Sequence, residues 1–295
     1  MDATGATRQE RGSAVINVVY DARMNATAQG FSPSAAKPAA VMTAWQRMWP
    51  QLSLRPAEPV DLDTLCLAHD ADYVEDIFML REPNGFRTRS EAVNASLPWT
   101  TGAMLTAARW ALAERTVVCA PVSGFHHAHW DEAQGFCTFN GLMVTALALQ
   151  RDCPGLRVGI LDYDYHYGDG TDDIIETLEP VGIVHRTAGK RFRHFDQAGA
   201  FLSAIRNDLH AMKHCDIVLY QAGADPHIDD PLGGFLDTAQ LKLRDWRVFD
   251  GLRRRGIPVA WNLAGGYQDP LARVVELHSN TVRALIAAEE AQAAT

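Results

Sequence analysis

Short runs of apolar and β-branched residues alternate along the chain with longer segments whose apolar residues recur at spacings of three and four. The short runs predict buried strands, and the longer segments predict amphipathic helices. The predicted strands span residues 15–20, 116–120, 157–162, 182–185, 216–222 and 257–263. The predicted helices span residues 40–49, 102–113, 140–151, 197–212, 238–255 and 271–288. Such alternation is typical of a mostly parallel sheet with helices on both faces.

Composition and charge narrow the class of protein. Of the 295 residues, 47% are apolar and 21% are charged, which is typical of a soluble globular fold and excludes disorder. The net charge of −9 leaves no basic footprint for nucleic acid or an anionic membrane. Apolar runs stay well below the roughly 18 residues that span a bilayer. We predict a single domain over residues 1–295, with residues 1–13 as a flexible N-terminal extension, and small molecules or cationic groups as partners.

Cysteine usage and the N-terminal sequence predict a cytoplasmic location. The opening MDATGATRQERGSAV carries scattered charges and no apolar segment of a secretory signal. The five cysteines are odd in number, widely spaced and without a CxxC pair. This pattern argues against a disulfide framework and against a structural zinc knuckle.

Polar, glycine-flanked clusters follow four of the predicted strands. They read PVSGFHHAH, DYDYHYGDG, AGADPH and AGGY in chain order. In open α/β sheets, ligands bind beyond the carboxyl ends of the strands, so these clusters predict the functional site. Residues 80–101 are rich in polar and turn-forming residues and too long for an ordinary connection, which predicts a surface loop near that site.

The first carboxylate cluster indicates either a metal site or a salt-bridged strand end. Asp162, Asp164 and His166 alternate along a strand end, so their side chains project from one side, and Asp169 follows closely. Concentrating this much negative charge is costly unless a cation compensates it.

A second predicted strand end carries another candidate metal ligand, Asp225, directly after Gly223 and Ala224. The alternative is that Asp225 caps a turn before Pro226. Together with Asp164 and His166 it would supply two carboxylates and one imidazole. That donor set is typical of catalytic rather than structural zinc, and it suits other borderline divalent ions as well.

Two adjacent histidines are candidates for acid and base chemistry. His126 and His127 follow a predicted strand, and one neutral and one protonated imidazole would provide both a base and an acid. Carboxylates behind the rings, for which Asp162 and Asp169 are candidates, would fix their tautomers. A purely structural histidine pair is the alternative.

Residues around the last strand end and the histidines are candidates for substrate contact. Tyr267 follows Gly265 and Gly266, so its phenol could stabilise an oxyanion, although an ordinary tyrosine in a turn is equally compatible. The residues predicted to contact substrate are Phe125, Gly135, Phe136, Leu232 and Gly265.

Taken together and in this order, GFHHAH, GFCTFN, DYDYHYGDGT, YQAGADPHIDDPLGGF and AGGY closely resemble the zinc-dependent histone deacetylase and acetylpolyamine amidohydrolase family. The resemblance spans roughly residues 65–267. It implies an arginase-like, three-layer α/β/α fold with an eight-stranded, mostly parallel sheet. It also implies a hydrolase that acts on N-acyl, usually N-acetyl, amines.

The resemblance assigns a role to each candidate. It places one catalytic Zn²⁺ on Asp164, His166 and Asp225, and it implies a structural K⁺ or Na⁺ held by Asp162 and by nearby backbone carbonyls. It makes Tyr267 the group that stabilises the oxyanion. The residues it implies for proton transfer and its support are His126, His127, Asp162 and Asp169.

The chain also departs from the family pattern. Tyr167 stands where many members have a second histidine, and the usual aromatic-Pro-Gly segment is missing from GKRFRHFDQAG. We therefore predict a small-molecule or polyamine N-acyl amide as substrate, with acetyl-lysine in proteins as the alternative. The sequence leaves open whether the protein forms a homo-oligomer.

Two other functions remain as weaker alternatives. A binuclear manganese ureohydrolase would need carboxylates at the positions of Gly168 and His227, where this chain has none. A non-catalytic acyl-binding protein would be expected to have lost a ligand or the tyrosine, and neither is lost.

Overall fold

The computed structural model describes residues 15–27 and 32–293, so the predicted extension over residues 1–13 lies outside the described residues. Within them, seven strands form one parallel sheet. The strands are β1 (Asn17–Val19), β2 (Ser53–Arg55), β3 (Val117–Ala120), β4 (Val158–Asp162), β5 (Ile183–Thr187), β6 (Ile217–Gln221) and β7 (Val259–Asn262). Their order is β2-β1-β3-β7-β6-β4-β5, and every pair is parallel.

Nine α-helices are present in the part of the chain that the structure describes, together with two short 3₁₀ turns. The helices are α1 (Lys37–Met48), α2 (Leu62–Leu65), α3 (Ala71–Phe78), α4 (Glu91–Glu114), α5 (Gly141–Asp152), α6 (Asp169–Leu178), α7 (Ala198–Ala211), α8 (Thr238–Arg253) and α9 (Leu271–Ala293). None of the described helices combines the length and the apolar character needed to cross a bilayer. The five cysteines are free thiols.

Two apolar cores lie on opposite faces of the sheet. Successive strand residues point to opposite faces, so Val218 and Tyr220 of β6 enter one core while Ile217 and Leu219 enter the other. Helices α1, α7, α8 and α9 cover the first face, and α2 to α6 cover the second. The three-layer α/β/α prediction is confirmed.

Most predicted elements are present, and the differences have local causes. The sheet has seven strands in the described residues rather than the implied eight. One of them, β2, was not predicted, because three residues at the sheet edge give too short an apolar pattern. Helix α6 was not predicted because its first turn, DGTDD, is almost entirely polar.

The prediction of a loop over residues 80–101 is wrong in its second half. Helix α4 begins at Glu91, where the Ser90 side chain accepts a hydrogen bond from the Val93 amide. The helix accommodates Pro98, and Asn94 is buried as a donor to the Ile77 carbonyl oxygen at 2.6 Å. Polar residues that suggested a loop are therefore buried hydrogen-bonding partners.

The remaining loop, residues 80–90, does pack beside the polar strand ends. Gly85 lies so close to Cys137 that a Cβ atom at this position would come within 2.5 Å of the Cys137 backbone. Its neighbour Phe86 places its ring 5.8 Å from that of Phe136. A glycine at position 85 is therefore what allows this loop to seat against the segment that follows the tandem histidines.

Candidate active site

Four neighbouring strands, β3, β7, β6 and β4, carry the polar clusters at their carboxyl ends. Because the strands are parallel, these ends meet at one edge of the sheet. The predicted metal ligands follow β4 and β6, the tandem histidines follow β3, and the tyrosine follows β7. The topology therefore brings together residues that are up to 141 positions apart, from His126 to Tyr267.

Asp164, His166 and Asp225 form a compact donor cluster. One ligand atom from each lies within 4.8 Å of the others. The Nδ1 atom of His166 is 3.0 Å from Oδ2 of Asp225 and 3.3 Å from Oδ1 of Asp164. Both carboxylates are buried, while the imidazole is partly open to solvent.

The surroundings of the cluster fit a divalent cation. Burial and the neighbouring charge of Asp164 raise the pKa of Asp225 to about 8, so two buried carboxylates this close are costly without a compensating cation. Gly265 donates its N–H to Oδ2 of Asp164 at 2.8 Å, and its missing side chain leaves space beside both carboxylates. One nitrogen and two oxygen donors suit Zn²⁺.

Each tandem histidine is held by its own carboxylate. Nδ1 of His126 lies 2.7 Å from Oδ2 of Asp162, and Nδ1 of His127 lies 2.6 Å from Oδ1 of Asp169. The two ring centroids are 4.1 Å apart. Nε2 of His126 lies 3.7 Å from Oδ1 of Asp164, so the pair directly adjoins the donor cluster.

The two imidazoles differ in proton affinity. Burial opposes the charged form of His126, but Asp162 and Asp164 outweigh it and raise its pKa to about 9. Burial and the positive charge of His126 lower the pKa of His127, against an opposing hydrogen bond to Asp169. The pair therefore offers one protonated and one neutral ring in the same site.

Tyr267 is placed by the turn that follows β7. Ala264 and Gly266 have φ values of 56° and 143°, and the Tyr267 amide donates to Oδ2 of Asp230 at 2.8 Å. Burial, together with the charges of Asp164 and Asp225, raises the pKa of Tyr267 well above its usual range. The phenol therefore stays protonated and keeps a hydrogen to donate.

The residues predicted to contact substrate occupy different positions around the site. The Phe136 ring lies 5.8 Å from that of Tyr267, and Gly135 lets the chain pass His127, since a Cβ there would come within 2.4 Å of the imidazole. Phe125 is buried and packs under Gly141. Leu232 is partly exposed, and its amide donates to Asp230 at 3.0 Å.

Comparison with known proteins identifies the family. Residues 32–192, more than half of the chain, match the family model described as "Histone deacetylase domain". The chain belongs to the histone deacetylase family. An uncharacterized protein of Picosynechococcus is 29% identical over 262 residues, which cover 80% of this chain and 85% of that protein.

Two further similarities concern a named enzyme and a solved structure. Acetylpolyamine amidohydrolase 1 of Pseudomonas aeruginosa is 27% identical over 179 residues, covering 51% of this chain and 50% of that protein. The chain thus spans about half the length of this relative. The crystal structure of the HD domain of HDA15 has a TM-score of 0.76 at 19% identity, with coverage of 94% of this chain and 89% of that one. At this identity the likeness shows the fold.

Several residues that support this deacetylase-family site were not predicted from sequence. Buried Arg244 of α8 donates from Nη1 to the carbonyl oxygens of Tyr163 at 2.9 Å and Gly223 at 2.7 Å, and from Nε to Asp245 at 2.8 Å. It thereby joins the chain after β4 to the chain after β6, the two segments that carry the donor cluster. An arginine in an amphipathic helix pattern reads as solvent-facing, which is why it was missed.

His69 supports the site from the other side. Its Nδ1 lies 2.9 Å from the carbonyl oxygen of His129, and its Nε2 accepts from the Asn140 amide at 2.8 Å. One ring nitrogen donates and the other accepts, so this histidine is neutral, and burial lowers its pKa to about 4. The only sequence signal for His69 is that it begins the stretch HDADYVEDI, which lies within the region that resembles the family.

Other predictions at this edge can be compared with the contacts observed. Oδ2 of Asp162 contacts His126, while Oδ1 accepts hydrogen bonds from the Asp164 amide and, at 3.1 Å, from the Gln221 side chain. These contacts do not test the K⁺ or Na⁺ site, which stays a prediction. Nε2 of His227 lies 2.9 Å from the Thr238 hydroxyl oxygen. Among the described residues, the donor cluster is the one metal-binding group found, which gives no support to a binuclear ureohydrolase.

Proposed function

We propose that the protein is a zinc-dependent amide hydrolase that removes an acetyl or other short acyl group from an N-acylated small molecule or polyamine. The observation that carries this proposal is the donor cluster of Asp164, His166 and Asp225 beside two carboxylate-supported histidines. Membership of the histone deacetylase family supports an enzyme of this class. The relative named as an acetylpolyamine amidohydrolase supports the choice of substrate.

Asp164, His166 and Asp225 would hold one Zn²⁺ per chain. Bound there, the ion would act as a Lewis acid toward the amide carbonyl and would lower the pKa of water. The single imidazole and two carboxylates leave positions open for substrate and water, as catalytic zinc requires.

The two histidines would move the protons. His127, with its lowered pKa, would take the proton of the attacking water, and a protonated imidazole of the pair would return a proton to the nitrogen of the leaving amine. Asp162 and Asp169 would hold both rings with Nδ1–H directed away from the substrate, which leaves each Nε2 for the reaction.

Tyr267 would stabilise the oxyanion with its protonated phenol, and its raised pKa is consistent with a phenol that stays protonated. Phe136, whose ring lies 5.8 Å from that of Tyr267, would form an apolar wall beside the acyl group. In this proposal Phe125, Gly135, Leu232 and Gly265 shape the surroundings. The structural K⁺ or Na⁺ near Asp162 and a cytoplasmic location remain part of it, and the free cysteines support the latter.

The test is acetate release by the zinc-loaded protein from an N-acetylated polyamine and an acetyl-lysine peptide, side by side, with a chelator control. Faster turnover of the polyamine, abolished by the chelator, supports the proposal. Faster turnover of the peptide favours a protein lysine deacetylase, the alternative suggested by the family model. Turnover of neither substrate, or turnover unaffected by the chelator, contradicts the proposal.

A further inference from the structure

A cleft of about 650 Å³ lies between α7 and α8, away from the donor cluster. Helix α8 connects the carboxyl end of β6 to the amino end of β7, so its last turns lie toward the sheet edge opposite to the active site. The cleft is lined by Arg206, Arg247, Arg254, Arg255 and Trp246, and we call it the arginine cleft.

Most of the positive charge in the arginine cleft is uncompensated. Arg254 pairs with Asp250 at 2.8 Å. Nη1 of Arg247 donates to the Leu202 carbonyl oxygen, and Nη1 of Arg255 donates to that of Gly251. Neither arginine forms an ion pair with a carboxylate of the described residues. Arg206 forms no ion pair within residues 15–27 and 32–293.

Four arginines line the arginine cleft, and Asp250 is the one carboxylate among its lining residues. The protein carries 36 acidic residues against 27 Lys and Arg, so carboxylate partners are plentiful elsewhere. Like charges that line one cleft repel one another, and an anion bound among them relieves that repulsion. Guanidinium groups bind carboxylate and phosphate oxygens with paired hydrogen bonds, and a diphosphate carries enough negative charge to face several of these groups at once.

The arginine cleft also has an aromatic surface and a volume that suits a small organic ligand. Trp246 is half-buried, with part of its ring packed on the core formed with α7 and α9. The ring that remains accessible can stack on a planar base. The side chains of Ser203 and Asn207 add exposed hydrogen-bonding groups for a sugar. The volume falls within the range of pockets that hold small organic ligands.

We propose that the arginine cleft binds a nucleoside diphosphate, with the base against Trp246 and the phosphates between the arginines. The inference does not depend on the reaction proposed for the donor cluster, because binding can be measured without any turnover. The phosphates account for the charge of the cleft, and the base accounts for the aromatic ring beside it. A ligand with only one of these features would leave the other without a role.

The test is calorimetric titration of the whole protein with ADP, with pyrophosphate and adenosine as separate arms. We expect saturable binding of ADP that the double variant Arg206→Gln, Arg255→Gln weakens by about 10-fold or more. The matched control is Lys213→Gln, Lys242→Gln, which removes two exposed charges of the same sign outside the cleft. It should leave the affinity within about 2-fold of the unmodified protein.

A third variant tests whether Trp246 contacts the base of the ligand. Trp246→Leu should weaken ADP binding by about 10-fold while leaving pyrophosphate binding unchanged, because only the base contacts the ring. Circular dichroism checks that each variant is folded, and Trp246→Phe, which keeps an aromatic face, should recover part of the affinity. The proposal is overturned if ADP shows no saturable binding up to about 1 mM. Equal weakening by the control pair overturns it as well. So does pyrophosphate binding as tight as that of ADP, together with ADP binding that Trp246→Leu leaves unchanged.

Discussion

A Cβ atom at Gly265 would lie 2.4 Å from Oδ2 of Asp225. The same atom would lie 2.7 Å from Oδ2 of Asp164, whose oxygen already accepts the Gly265 amide at 2.8 Å. Neither carboxylate can move away freely, because both are buried and hydrogen-bonded. The absence of a side chain at this position therefore keeps the two oxygens proposed as metal ligands within reach of one ion.

We accordingly expect Gly265→Ala to lower zinc affinity by about 10- to 100-fold, since the added methyl displaces the carboxylates from their orientation. Competition with a chromophoric chelator measures the affinity. Gly199→Ala is the matched control, because a Cβ there meets nothing within 4 Å. Unchanged zinc affinity in Gly265→Ala would show that the close approach has no part in metal binding.

Asp225→Asn should lose zinc while the metal-free protein stays folded. The amide is a poor zinc ligand, but it can keep the hydrogen bond from the Tyr165 amide, and it removes the repulsion with Asp164 that raises the pKa of Asp225. Zinc content after dialysis and urea unfolding measure the two effects. Asp230→Asn, which lies beside the cluster without belonging to it, should keep its zinc. Full zinc retention by Asp225→Asn would contradict the proposed ligand set.

Tyr267→Phe should keep zinc and lose about 10²- to 10³-fold in kcat, because it removes one oxyanion donor and preserves the ring contact with Phe136. Acetate release under saturating substrate gives kcat. Tyr165→Phe is the control, since that hydroxyl donates only to the Arg193 carbonyl oxygen at 3.3 Å. A rate close to that of the unmodified protein would remove the oxyanion role of Tyr267.

Local sequence predicted the layout of the fold and the residues of the candidate site. Because parallel strands end at one edge of the sheet, the strands that precede Asp164, Asp225 and Tyr267 predict that these residues lie close together. The helical conformation of residues 91–101 could not be predicted, because Pro98 and the polar Asn94 suggest a loop as long as their buried surroundings are unknown. The short edge strand β2 gave too few residues for a pattern.

Supporting residues were beyond prediction for a different reason. His69 and Arg244 act on backbone carbonyl and amide groups, which every residue has, so no side-chain pattern indicates their partners. Their partners are also distant in sequence, 60 to 81 positions for His129, Asn140 and Tyr163. Only the packed structure shows which of the many polar residues are buried at the site.

His69 predicts a dependence of stability on pH. Burial lowers its pKa from 6.5 to about 4, so the folded protein prefers the neutral ring. The stabilisation is therefore fully present above pH 6.5 and is lost as the pH falls toward 4, which amounts to about 2 kcal/mol between pH 7.5 and pH 5. His69→Gln binds no proton, so its unfolding free energy should fall by about 2 kcal/mol less over this interval.

Urea unfolding at the two pH values measures this difference, and comparing the slopes removes any loss of stability common to both. His214→Gln, an exposed histidine in the turn after α7, serves as control and should keep the pH dependence of the unmodified protein. Parallel curves for His69→Gln and the unmodified protein would mean that His69 does not resist protonation in the fold.

Arg244 makes the largest stability prediction. Its removal leaves the buried Asp245 carboxylate without a counter-charge, although Tyr220 and Thr281 still donate to it, and it leaves two buried carbonyl oxygens without their donor. Arg244→Met should cost about 3 to 5 kcal/mol in unfolding free energy, measured by urea denaturation. Much of that cost is the orphaned charge, so adding Asp245→Asn should recover part of the stability. Both variants lack the link between the segments after β4 and β6, so we expect a reduced zinc affinity in each. A double variant no more stable than Arg244→Met would show that the unpaired carboxylate is not the source of the loss.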